Sequence, residues 1–460
     1  MTGSRVGRVL VLVSLVISCQ GDGTETRLTS AGIHVPIVRR QSSRHVRRSV
    51  DVGSIGLGDF EDITYNVQIQ VGETHIPVVL DTGSSDLWVL STSCQDSCSS
   101  NSTPLYPATS FRPANLDSTL TYGDSKTGTY ARGPIGSDFV SLAGLGLQGQ
   151  YFSAINSTNT SVAQTGSAGI FGLGFPFNSL LWTNLALIQN GSANTVVHRA
   201  NDAPREVIDV HARFPDRFKN LVTRWFLKHD LGDDTGTPPV RSTRQLTAAT
   251  LQSSIVNYGP LIPRLVAQGM LDSPMFSITL QRDTIQIGGN EGMLSIGQLP
   301  PSVKSESLTW VSVRGYPSSQ GGLQPPSDTP GEVYAVAWEI PLDDVWFDGV
   351  KLARSTLSSP NISLSALIDT GNSLIRGPPD VVAQIHAILG GQRFACSPPH
   401  TLEFQIGGRL FPVDPRDFIS EARPGDPDLC SANVVPTDVP VSGGTGYLYS
   451  WNLGDPFLKG

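Results

Sequence analysis

The sequence predicts an all-β protein built as two similar lobes. Three observations lead there. The chain has 460 residues, enough for two separate hydrophobic cores. It holds 47 glycines and 33 prolines, and only 16% of its residues are charged. Short strands joined by frequent turns fit that composition better than long solvated helices. Finally, a short apolar run ending in Asp-Thr-Gly occurs once in each half, at Asp81 and at Asp369.

Residues 1–20 read as a signal peptide. Arg5 and Arg8 precede the apolar run Val9–Ile17, and small or polar residues follow. That run is too short to span a bilayer, and no other stretch is apolar for long enough. Residues 21–50 read as a basic pro-segment with two dibasic pairs, Arg39-Arg40 and Arg47-Arg48. Residues 1–50 hold eight arginines against two acidic residues, a net of +6. The remainder holds 24 basic and 38 acidic residues, a net of −14. An acidic body argues against a nucleic-acid partner, which needs a basic working surface. A basic leader suits electrostatic docking on that body.

The N-terminal lobe is expected over residues 60–300. Ile63, Tyr65, Val67, Ile69 and Val71 alternate with polar residues, the pattern of a half-buried strand. Ile76–Leu80 is a second, wholly apolar strand that delivers Asp81. The C-terminal lobe, over 301–460, repeats the theme. Val336, Trp338, Ile340 and Leu342 alternate, and Leu364, Ala366 and Ile368 then deliver Asp369. Asp380–Leu389 reads as a helix between Pro378-Pro379 and Gly390-Gly391. Residues 191–250 interrupt the pattern. They carry nine of the body's 24 basic residues and three of its six histidines. Phe214, Phe218, Leu221, Val222, Trp225 and Phe226 fall at helical spacing there, within a tract otherwise polar and rich in Pro and Gly. The segment reads as a surface insertion or as untranslated sequence carried into the chain, with a partner-binding element as the alternative.

Apart from Cys19 in the leader, four cysteines remain, Cys94, Cys98, Cys396 and Cys430, and four allow three pairings. The local pairs are favoured because each closes a loop within one half of the chain. Zinc is disfavoured, since no second closely spaced pair completes a ligand set. Asn101, Asn156, Asn159, Asn190 and Asn361 head Asn-X-Ser/Thr acceptors, which fits export. The letters of Gly144–Gly149 match G-x-G-x-x-G, but no helix and no suitably spaced acidic residue follow, so a dinucleotide site is not expected.

The chemistry concentrates in Asp81-Thr82-Gly83-Ser84-Ser85 and Asp369-Thr370-Gly371-Asn372-Ser373. Either alone would read as a turn. As a pair they supply two carboxylates which, held close together, cannot both ionise cheaply. They then share a proton, so one site holds a base and an acid at once. Glycine after each Asp-Thr permits close backbone approach, and the Thr hydroxyls are placed to brace one loop against the other.

These residues resemble the pepsin-like aspartic proteases, and more closely their secreted fungal members, over roughly residues 60–458 apart from the insertion. Asp81–Val89 resembles the first active-site loop and Asp369–Leu374 the second. Tyr122-Gly123-Asp124 resembles the tip of the flap, with Trp88 as the hydrogen-bond partner of Tyr122. Gly169–Pro176 looks like the segment packed beneath the first aspartate, and the pairs Cys94–Cys98 and Cys396–Cys430 match two of the family's disulfides. Asn372 departs from the pattern, standing where the family usually has Thr or Ser with a hydroxyl bonded to the second aspartate; its amide remains able to donate. The insertion is foreign to the family. Trp451–Lys459 resembles the penultimate segment, and the closing strands that normally follow it in the family are absent, so the C-terminal lobe reads as truncated.

The resemblance implies a two-lobed pepsin-like fold. It further implies a monomeric, secreted endopeptidase made as a zymogen, which takes protein or peptide substrates as extended strands and needs no metal or organic cofactor. If a C-terminal tail follows, anchoring at the cell surface is the variant of that expectation. The alternative is a catalytically silent pepsin-like binding protein, favoured by the missing C-terminal segment and Asn372 and opposed by the retained aspartates and flap tyrosine.

Overall fold

The computed structural model describes residues 9–13, 33–36, 38–40, 64–95, 98, 103–122, 129–189, 207–209, 248–271, 275–280, 292–300, 303–397, 399–423, 425–437 and 449–459. Within them the chain is mostly β, with few and short helices, and it forms two lobes. A ten-stranded sheet dominates the first lobe. Sheets of five, four and three strands build the second. A further four-stranded sheet has Met275–Leu280 and Gly292–Ile296 at its centre. Val9–Val13 and Ile33–Pro36 flank that pair, so backbone from the expected signal peptide and pro-segment lies along its two edges. Val38–Arg40 adds to the edge of the ten-stranded sheet, antiparallel to Thr64–Val71.

Thr64–Val71 follows the expected alternation, with Tyr65, Val67, Ile69 and Val71 buried and Gln68 exposed. Asn66 is buried too, and accepts a hydrogen bond from the Ser167 hydroxyl at 2.6 Å. Thr74–Asp81 returns antiparallel to it and is buried over its last six residues. The second lobe differs from expectation. The alternating run around Val336–Leu342 is not half-exposed: Ala337 and Glu339 are buried with Val336, Trp338 and Ile340. Only Glu339–Pro341 is a strand. The run lies where the lobes meet and is covered from both sides. Trp338 shows this: its indole donates to the carbonyl of Leu173 in the other lobe at 2.7 Å, and its ring lies 4.4 Å from Phe175. One hydrophobic core accordingly runs through both lobes.

The expected helix forms at Pro379–Leu389. It buries Val381, Val382, Ile385 and Leu389 and ends at Gly390, whose φ of 88° is the left-handed cap that glycine adopts without strain. His386 packs there, its Nε2 3.2 Å from the carbonyl of Val434. The glycines of 144–149 make a β-hairpin instead of a nucleotide loop. Ala143 and Gly144 turn at positive φ between the strands Thr129–Leu142 and Leu145–Ile155. Disulfides join Cys94 to Cys98 and Cys396 to Cys430. Most of the 191–250 segment, including the amphipathic run at 214–226, lies outside the described residues. Among the described residues no helix is long and apolar enough to cross a membrane.

One buried carboxyl ties this fold to pH. Asp86 is 5% exposed and sits at the start of the helix Leu180–Gln189. It accepts from the Ser179 hydroxyl at 2.5 Å and from the backbone N–H groups of Leu180 and Leu181 at 3.0 and 3.3 Å. Burial outweighs these donors and pushes its pKa from an ordinary 3.8 up to about 6. A carboxyl raised in the folded state binds its proton more tightly there than in the unfolded chain. Its stabilisation is complete below the unfolded value and is lost as pH rises through the folded value. We therefore expect the protein to lose stability between about pH 4 and pH 7, with Asp86 contributing up to about 3 kcal/mol of the change. Thermal unfolding of the wild type and of Asp86→Asn across that range tests this. The amide mimics the neutral carboxyl and should flatten the dependence; equal slopes would remove Asp86 as its source.

Candidate active site

Two equivalent three-strand arrangements carry the two Asp-Thr-Gly loops. In the first lobe, Thr74–Asp81 pairs parallel with Gly169–Gly172, which pairs antiparallel with Leu87–Leu90. In the second, Ser365–Ile368 pairs parallel with Trp451–Leu453, which pairs antiparallel with Ile375–Gly377. The registers correspond. Val79, two residues before Asp81, faces Ile170, and Leu367, two residues before Asp369, faces Asn452. Each strand is wholly buried as it reaches its aspartate, because both of its faces are covered.

The loops meet tip to tip. The Thr82 hydroxyl donates to the carbonyl of Ile368 at 2.8 Å and accepts from the Thr370 N–H at 3.0 Å. The Thr370 hydroxyl does the same in reverse, with the Leu80 carbonyl at 2.7 Å and the Thr82 N–H at 3.1 Å. This is the bracing anticipated from the sequence. The two glycines report how closely the loops approach. A Cβ added at Gly83 would lie 2.4 Å from a carboxylate oxygen of Asp369, and one at Gly371 would lie 2.4 Å from a carboxylate oxygen of Asp81. No side chain larger than hydrogen fits at either position.

Both carboxyl groups are fully buried, and both receive donors. Asp81 accepts from the Gly83 N–H at 2.8 Å and from the Ser84 hydroxyl at 2.5 Å. Asp369 accepts from the Gly371 N–H at 3.1 Å. The parallel then breaks. Asn372, at the position equivalent to Ser84, directs its amide to the Leu374 carbonyl at 2.7 Å and to the Asn452 Oδ1 at 3.0 Å. It is Asn452 that donates to the second aspartate, from Nδ2 to Oδ2 at 2.8 Å. The sequence reading expected any side-chain donor here to be Asn372 and did not select Asn452. Its signal was an amide in the otherwise apolar strand Trp451–Leu453.

The strands Arg112–Tyr122 and Thr129–Leu142 pair antiparallel, with Tyr122 facing Thr129. The Thr129 hydroxyl donates to the Tyr122 carbonyl at 2.8 Å, closing the base of the loop. The Trp88 indole donates to the Tyr122 hydroxyl at 2.6 Å, and both rings are buried. Gly123 and Asp124 lie outside the described residues. The Gly169–Pro176 segment packs under the first loop, with the Leu173 N–H donating to the Asp81 carbonyl at 2.7 Å and the Ser85 hydroxyl to the Phe175 carbonyl at 2.8 Å. Away from the site, the glycosylation candidates Asn159 and Asn361 are exposed and Asn156 is half-buried, whereas Asn101 and Asn190 lie outside the described residues.

Comparison with known proteins agrees with this geometry. The family model for eukaryotic aspartyl protease matches residues 64–197 and 246–460. Cathepsin E of Mus musculus is 24% identical over 442 residues, covering 93% of this chain and 82% of that protein. Pepsin A of Sus scrofa is 27% identical over 212 residues, covering 44% of this chain and 45% of that protein. Major aspartyl peptidase 1 of Cryptococcus neoformans is 21% identical over 443 residues, covering 92% of this chain and 69% of that protein. Matched on both sides of the loop-bearing strands and along most of its length, the chain belongs to the eukaryotic aspartyl protease family.

Proposed function

We propose that this protein is a secreted aspartic endopeptidase, made as a zymogen, in which Asp81 and Asp369 activate a water molecule at acid pH. The observation that carries the reading is the mutual approach of the loops: each Asp-Thr-Gly glycine lies against the carboxyl of the opposite loop. Two carboxyl groups crowded in this way favour a single shared negative charge. The ionised member takes a proton from water. The protonated member donates to the scissile carbonyl, and the hydroxyl formed from the water attacks its carbon. Tyr122, held by Trp88, closes the flap over an extended peptide and excludes bulk water. Export accords with the two disulfides and the N-terminal apolar run. The lobe limits of 60–300 and 301–460 belong to the same reading, as does a 191–250 insertion; the family match breaks between residues 197 and 246.

We expect either Asp81→Asn or Asp369→Asn to lower acid proteolysis about a hundredfold or more, the usual scale of acid–base assistance, while far-ultraviolet circular dichroism stays unchanged. An unfolded protein substrate and a fluorogenic peptide are suitable probes. Substantial turnover by either folded variant would remove the pair as the catalyst. A wild type that binds peptide without cutting it would instead support the binding-protein alternative.

Tyr122→Phe keeps the ring and loses the hydroxyl that Trp88 holds. One hydrogen bond of about 1–1.5 kcal/mol corresponds to roughly tenfold in kcat/KM. Unchanged peptide cleavage by Tyr122→Phe and Tyr122→Ala alike would show that this hairpin is not the flap.

Activation follows from charge. The leader is basic, its Val38–Arg40 segment is strand-paired to the first lobe, and the body is acidic. Acid neutralises carboxylates while arginines stay charged, so the attraction weakens. A proform beginning near Gln20 should be latent at neutral pH and lose the segment containing Arg39-Arg40 and Arg47-Arg48 below about pH 5. Mass spectrometry of the new N-terminus across a pH series reads this out. Equal maturation of an isolated Asp81→Asn proform, or none in the wild type, would exclude self-activation by charge release.

A further inference from the structure

The two halves of the site are held by different chemistry, and the difference involves two positions in each lobe. In the first lobe the position equivalent to Asn372 is Ser84, whose hydroxyl reaches Asp81 directly, and the position equivalent to Asn452 is Ile170. In the second lobe the short hydroxyl is replaced by an amide, and the apolar strand residue by another. We infer that Asp369 is oriented by a directional chain, Arg376 to Asn372 to Asn452 to Asp369, in which Asn452 is the positioning residue. The inference rests on the proposed role of the aspartate pair.

The orientation of the chain follows from its ends. The Asn372 Oδ1 faces two N–H donors, the backbone of Leu374 at 3.3 Å and the Arg376 Nε at 3.4 Å. Its Nδ2 faces two acceptors, the Leu374 carbonyl at 2.7 Å and the Asn452 Oδ1 at 3.0 Å. Reversing this amide would set N–H against N–H on one side and oxygen against oxygen on the other. With Asn372 so fixed, Asn452 must turn its oxygen toward Asn372 and its Nδ2 toward Asp369, where the contact is 2.8 Å. Both amides are buried. Every link donates toward the carboxylate, and such bonds reinforce one another in a low-dielectric setting.

Strand register makes the arrangement possible. Asn452 lies between Leu367 on one neighbouring strand and Arg376 on the other. Asn372, one residue beyond Gly371, has a longer reach than serine. Its side chain therefore meets the neighbouring strand, and the donor role passes to a residue 80 positions away. An amide N–H only donates, so Asn452 fixes the direction in which one oxygen of Asp369 is held. Charged groups on the surrounding elements are Asp81 on the opposite loop, Arg376 on the adjoining strand, Glu339 on the strand beyond Ser365–Ile368, and Asp455 just after the Asn452 strand. A neutral-for-neutral change at Asn452 leaves all four in place.

The test compares the wild type with Asn452→Ile, Asn372→Ser, and the double variant Asn372→Ser/Asn452→Ile, which rebuilds in the second lobe the Ser84/Ile170 pattern of the first. Each is assayed on a fluorogenic peptide across acid pH, with thermal unfolding as the folding control. Asn452→Ser, which is polar but too short to reach, replaces Asn452→Ile if the latter does not fold. We expect loss of Asn452 to lower kcat about tenfold with little change in KM, and to displace the pH–rate profile. The double variant should recover much of kcat and return the profile toward that of the wild type. Unchanged kcat and profile in a folded Asn452 variant would overturn the proposal. So would a double variant no better than Asn452→Ile, since a merely structural role would not be rescued by a hydroxyl at 372. Asp81→Asn and Asp369→Asn run alongside keep the two readings apart. Activity retained in those variants defeats the aspartate pair itself, whereas their inactivity beside an unaffected Asn452 variant defeats only the chain.

Discussion

The rest of the site depends on the reciprocal clasp of Thr82 and Thr370. Four hydrogen bonds, each between residues at least 286 positions apart, join the two loops where no water competes for them. Each hydroxyl both donates to a carbonyl and accepts from an N–H, so all polar groups at the junction are used, and burial makes the loss of any one costly. The clasp draws the loops together until only glycine fits beside each carboxyl. Loosening it would draw the two aspartate loops apart, since these bonds are what holds the tips together.

Around the clasp the lobes are alike in backbone and unlike in side chains. The same parallel and antiparallel pairings deliver both aspartates. Trp338 joins the segment beneath the first loop to the strand system leading to the second, with its polar tip and its ring both engaged across the lobe boundary. The asymmetry lies in what holds the outer carboxylate oxygens: a hydroxyl for Asp81 and an amide for Asp369. This is a concrete difference between the surroundings of the two carboxyl groups.

Acidity enters at more than one place. Asp86 carries a raised pKa because it is buried at a helix start, so the fold gains stability where a shared-proton pair would work. The basic first 50 residues and the acidic remainder respond in the opposite sense, since their attraction weakens as carboxylates are neutralised. The groups involved are separate, a single interior carboxyl in one case and a diffuse charge in the other.

The sequence by itself determined the two aspartate loops, the apolar strands that deliver them, the helix Pro379–Leu389 and the two-lobed all-β class. These are encoded in runs of a few residues, whose spacing dictates local geometry directly. The disulfides Cys94–Cys98 and Cys396–Cys430 were favoured by the same locality. Three features were decided only in three dimensions. Ala337 and Glu339 are buried on a face that alternation alone would leave in water, and Ser365 and Arg314 meet Glu339 there. The raised pKa of Asp86 comes from burial in the folded core, against the pull of donors 93 to 95 residues further along the chain. The donor to Asp369 comes from Asn452, 83 residues away, brought there by strand register. A linear pattern specifies which face a residue presents, but which partner meets that face depends on the pairing of distant strands, and hydrogen bonds are made only with the partner that arrives.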